Sequence, residues 1–81
     1  MPLVIWHDSA KRSETRALYC IGRIPGHSIW KAKADELFVV AIQEASRAKF
    51  ATDETKAREH ASVASLAVFA LERLADLDSG D

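Results

Sequence analysis

Between Ala61 and Leu71 the chain reads ASVASLAVFAL, a run whose only polar side chains are Ser62 and Ser65. At helical spacing the run belongs to two apolar seams. One is Ala57, Ala61, Ala64, Val68, Leu71 and Ala75; the other is Val63, Ala67, Ala70, Leu74 and Leu77. Both advance by alternating threes and fours, so they lie side by side on one helix. A helix that is apolar around most of its circumference must be covered on most sides. A chain of 81 residues has little else to cover it with, in a size range where one core is only marginally sufficient. The seam Ala57, Ala61, Ala64, Val68, Leu71, Ala75 is therefore expected to meet a partner helix, from a second copy or a foreign protein.

Residues 1–81 form a single small domain. Cys20 is the only cysteine, which excludes an internal disulfide, points to a reducing compartment and reads as a small buried hydrophobe. No segment has the charged start and long apolar run of a signal peptide, and none approaches the length of a membrane span. A cytoplasmic location is expected. The net charge of −1 is unevenly spread. Residues 1–33 hold six basic against two acidic groups, and residues 34–81 five basic against ten acidic. Such a basic end is suited to nucleic acid or an acidic protein. The near-neutral total argues against a strongly acidic mimic of DNA.

Leu3-Val4-Ile5-Trp6 is β-branched and aromatic, and it is followed by a polar stretch from His7 to Thr15. It reads as a strand and a solvated loop. Arg16 to Ile24 reads as the hairpin partner, with Gly22 marking a bulge or a close backbone approach. The rival reading makes Ser9 to Ile21 a helix closed by Gly22, but Lys11 to Arg16 lacks an apolar stripe. Ile24-Pro25-Gly26 signals a turn. Residues 28–33 fit a third strand or the start of a helix, and the acidic pair Asp35-Glu36 favours a helix beginning near Asp35. From Leu37 the 3.6-residue period is plain in Leu37, Phe38, Ala41, Ile42, Ala45 and Ala48. Thr52-Asp53-Glu54 looks like the cap of another helix reaching Leu77, although no Gly or Pro forces a break from the preceding one. The expected fold is α+β: a short antiparallel β-sheet of two or three strands (residues 1–34), two antiparallel helices (35–77) and a frayed tail (78–81).

The search for chemistry yields no motif. His7, Asp8, Cys20, His27 and His60 are ligand types without the short spacing of a metal site. None of the serines lies in a nucleophile elbow. The stretch from Gly22 to Gly26 contains a proline and lacks the Lys-Ser/Thr of a phosphate loop. Asp35-Glu36 and Asp53-Glu54 are explained by helix starts. No enzymatic activity, cofactor or metal is expected. Lys11, Arg12, Arg16, Arg23, Lys31 and Lys33, with Trp6, Tyr19 and Trp30 close in sequence, form a candidate target-binding set, able to meet an acidic protein or to track phosphates and stack bases.

The order strand, loop, strand, Pro-Gly turn, short strand, helix resembles the N-terminal part of HicB-like antitoxins. The residues that carry the likeness are Leu3 to Trp6, Ala17 to Ile24, Ile24-Pro25-Gly26, and the helix with Asp35-Glu36-Leu37 and Gln43-Glu44-Ala45. They fall in about the first fifty residues. Arg23 stands where that family usually has an acid before its Leu-Pro-Gly turn, and the alanine-rich helix stands in place of that family's DNA-binding C-terminal domain. The resemblance implies a partial RNase H-like fold and a non-catalytic protein that neutralises another protein.

These readings converge on a small inhibitor or antitoxin-like protein, of the kind mobile elements aim at host defence. It would act as a homodimer that occludes a larger target protein. The alternatives are a nucleic-acid-binding accessory protein using residues 11–33, and a structural subunit of a larger assembly.

Overall fold

The spacing of small side chains that marks residues 57–75 recurs in both preceding segments. Residues 6–24 carry Trp6, Ala10, Ser13, Ala17, Cys20 and Ile24 in steps of four and three; residues 34–48 carry Ala34, Phe38, Ala41, Ala45 and Ala48 in the same steps. Three stripes of one period can pack around a common axis, and a computed structural model describing residues 2–79 has that form. Helix α1 spans Pro2–Gly22, α2 Lys31–Phe50 and α3 Glu54–Asp78. Each helix packs against both others to give an elongated bundle of 41 × 18 × 14 Å.

The α+β expectation is thus corrected: among the described residues there is no strand. Leu3–Trp6 and most of Arg16–Ile24, taken as hairpin strands, lie in α1, so the sheet implied by the antitoxin resemblance is not formed. The polar stretch His7–Thr15 is helical because its inward positions, Ala10 and Ser13, are small enough to bury although they form no hydrophobic stripe. Gly22 ends α1, and a Cβ there would meet nothing within 4 Å, so no close backbone approach explains it. The third strand at 28–33 is also replaced. Residues 28–30 belong to the α1–α2 connection, and α2 begins at Lys31 rather than near Asp35.

That connection closes its own polar groups. Arg23 N–H donates to Cys20 O, Ser28 N–H to Pro25 O across the Pro-Gly turn, and Trp30 N–H to Ser28 Oγ. At the other end of α2, Asp53 caps α3 by accepting from Lys56 N–H at 3.1 Å, which makes α2 and α3 separate helices. The tail expected at 78–81 is helical at Asp78 and capped at Ser79, whose N–H and Oγ both reach Ala75 O. Gly80 and Asp81 lie outside the described residues.

Alanine dominates the interior. Among the described residues, eleven of the fifteen buried apolar side chains are alanines, which lets the helix axes approach closely. The half of the bundle near the α1–α2 connection holds the larger groups. There Ile24, Val68 and Leu71 are buried with Ala17, Cys20 and Ala34, and Leu37, Phe38 and Leu74 pack against them. The opposite half is built from Ala10, Ala45, Ala48, Ala61 and Ala64, with Trp6 laid over it.

Candidate functional site

The complete first seam of α3, from Ala57 to Ala75, is buried inside the chain. It is covered by α1 and α2, so the covering once assigned to an external partner comes from the protein itself. What α3 turns outward is a second stripe with the same steps, two residues further on: Glu59, Val63, Leu66, Ala70, Arg73 and Leu77. A two-residue offset is a rotation of about 200° on a helix. Val63, Leu66 and Leu77 are exposed at 42, 69 and 57%, and Phe69 beside them at 61%. Neither Glu59 nor Arg73 forms an ion pair among the described residues.

The structure divides the six basic candidates. Lys11, Arg12 and Arg16 lie on α1, Arg23 follows its end, and all four are exposed. Arg16 donates twice to Glu72 on α3, and Arg23 reaches Asp76 Oδ1 at 3.5 Å and Ser79 Oγ at 3.2 Å while lying 5.9 Å from the centre of the Tyr19 ring. Arg16 thus ties α1, and Arg23 the start of the α1–α2 connection, to α3. Lys11 and Arg12 have no ionic partner among the described residues and line a shallow open depression with Thr15 and Arg16. Lys31 and Lys33 stand apart on α2, paired with Asp35 at 2.9 Å and Glu36 at 3.3 Å.

On α1 the steps Ile5, Asp8, Arg12, Thr15, Tyr19 follow the helical period along the outward side. Ile5 and Tyr19 expose more than half of their surface, as does Val4. Sequence reasoning named Tyr19 as an aromatic neighbour of the cations and took Ile5 for part of a strand. The signal that finds them is their position opposite Ala10, Ala17 and Cys20 once the segment is read as a helix. Of the aromatic neighbours, Trp6 covers the alanine end of the core and Trp30 sits just before α2.

The ligand-type residues are dispersed. His7 Nε2 donates to the carbonyl of Ala51 at 3.1 Å, fastening the start of α1 to the α2–α3 connection. His27 is exposed in the α1–α2 connection. Cys20 is buried, and loss of hydration, reinforced by the Glu72 carboxylate, pushes its thiol pKa upward, away from reactivity.

His60 Nδ1 donates to Glu44 Oε1 at 2.6 Å, and Arg47 donates to the other carboxylate oxygen. The His60 hydrogen bond is the main reason that Glu44 titrates below the ordinary glutamate range, with Arg47 adding to it. Glu44 therefore binds fewer protons folded than unfolded. Its contribution to stability is complete above the unfolded pKa of about 4.3 and is lost as pH falls through the lowered folded value. Urea midpoints measured between about pH 7 and pH 3 should fall in that window, and Glu44→Gln should flatten the fall. An unchanged slope in the variant would show that other carboxylates carry the acid sensitivity.

No helix among the described residues is long and apolar enough to cross a membrane. Comparison with known protein families, with curated proteins and with solved structures finds no match to this chain.

Proposed function

We propose that the protein is a non-enzymatic regulator that binds a larger, acidic protein through the outward face of α1 and occludes part of its surface. The observation that carries this reading is the make-up of that face. Lys11 and Arg12 are exposed without ionic partners among the described residues, between the exposed side chains of Ile5 and Tyr19. Protein interfaces favour such a mixture, in which Tyr and Arg supply anchoring contacts and free cations select an acidic counterpart. Arg16 and Arg23 border the face but spend their charge on Glu72 and Asp76. Lys31 and Lys33 have no part in it.

The test is capture of partners from native lysate by the tagged protein, with and without nuclease, beside a Lys11→Glu/Arg12→Glu variant. Both substituted positions are exposed, so the helical circular dichroism should be unchanged. One protein retained by the wild type in both halves, and lost at least about tenfold in the variant, is the expected result. Retention that disappears with nuclease would replace this reading with nucleic-acid binding along the α1 cations, with the steep salt dependence typical of phosphate contacts.

A further inference from the structure

We infer that two copies of this chain pair through the outward faces of α3, antiparallel, about a two-fold axis that passes at Leu66. This pairing does not rest on the target-binding role of α1, whose face lies on another helix.

The stripe carries its own complement. Leu66, exposed at 69%, lies midway between Glu59 and Arg73, seven residues from each. That separation is about 10.5 Å along the helix. A two-fold rotation at Leu66 turns the helix end for end, so each Glu59 faces Arg73 of the second copy. The pair forms twice, as a symmetric interface requires. Both side chains are exposed, and neither has an ionic partner of its own among the described residues. The same operation sets Leu66 against itself and Val63 beside the small Ala70 of the second copy, which permits close approach of the backbones. The alternating steps of four and three are those of a helix that packs along its length against a neighbour. The bundle is 41 Å long and 18 Å wide. The 25 residues of α3 span about 37 Å, so the stripe runs along most of that length.

Sedimentation equilibrium over a dilution series tests the pairing. The wild type should show twice the mass of one chain, and Leu66→Glu should weaken association by about 100-fold or more while leaving the helical signal intact. The decisive readout is charge exchange. Glu59→Arg alone and Arg73→Glu alone should each weaken the dimer by about tenfold, because each sets like charges face to face twice. The double variant should recover to within about threefold of wild type. A wild type that stays monomeric up to about millimolar concentration would overturn the inference, that being the affinity range of the weakest encounters. So would a dimer that Leu66→Glu leaves unchanged. Single charge variants whose losses add in the double variant would exclude the antiparallel register at Leu66.

Discussion

Ala64→Glu is expected to leave no cooperatively folded protein at room temperature. Ala64 is fully buried on α3, and its neighbours in the alanine half are Ala10, Ala45, Ala48 and Ala61. These side chains are single methyl groups, so none can donate a hydrogen bond to the new carboxylate. An isolated buried charge of this kind costs several kcal/mol even after it neutralises. The added atoms also have to push apart helices that were packed at alanine distance, which costs about 1–3 kcal/mol more. A domain of this length holds only about 4–12 kcal/mol in total. Far-UV circular dichroism and urea titration would decide the matter. A variant with the wild-type midpoint would mean that α3 turns a different face to α1 and α2.

Leu71→Ala is expected to cost about 2–5 kcal/mol, without abolishing the fold in favourable conditions. Leu71 is the largest fully buried side chain, and it packs in the half of the bundle that contains Ile24 and Val68. The surrounding groups include Ala17, Ala34 and Ala41, which are too short to fill the space it leaves. Val39→Ala, on the outward side of α2 where nearly half of the side chain is exposed, should stay within about 0.5 kcal/mol of wild type. Urea midpoints at constant slope would separate the two. Equal losses at both positions would contradict the placement of the core.

The difference between the α1 and α3 readings shows where sequence inference worked. In α3 the buried seam contains Val68 and Leu71 among its alanines, so the apolar period stands out. The cap at Asp53 is equally explicit, because an Asp before Glu54 has one well-understood use at a helix start. In α1 the inward positions are Ala10, Ser13, Ala17 and Cys20, side chains that barely register as hydrophobic. The large residues Val4, Ile5, Leu18 and Tyr19 point outward. A reading that looks for a stripe of big apolar groups finds it on the wrong side and mistakes Leu3–Trp6 for a strand. The same bias assigned the Ala57–Ala75 seam to an external partner, because it assumed a sheet where two further helices supply the cover. Of the basic set, Lys11 and Arg12 have no ionic partner among the described residues, whereas Arg16 and Arg23 are committed to α3. That distinction depends on Glu72 and Asp76, more than fifty residues away, and no local pattern reveals it.

An alanine interior beneath a surface that exposes many large apolar side chains also shapes how this protein responds to temperature. Much of the heat-capacity change on unfolding comes from apolar area that meets water only when the chain opens, typically about 12–15 cal/mol/K per residue in total. Here Tyr19, Leu66, Phe69 and Phe50 already meet water in the folded monomer, so less new area is left to hydrate. The increment is expected to fall toward or below the low end of that range, giving a broader and flatter stability curve. Pairing along α3 would dry part of this surface again, so the curvature of stability with temperature becomes a property of the dimer more than of the single chain.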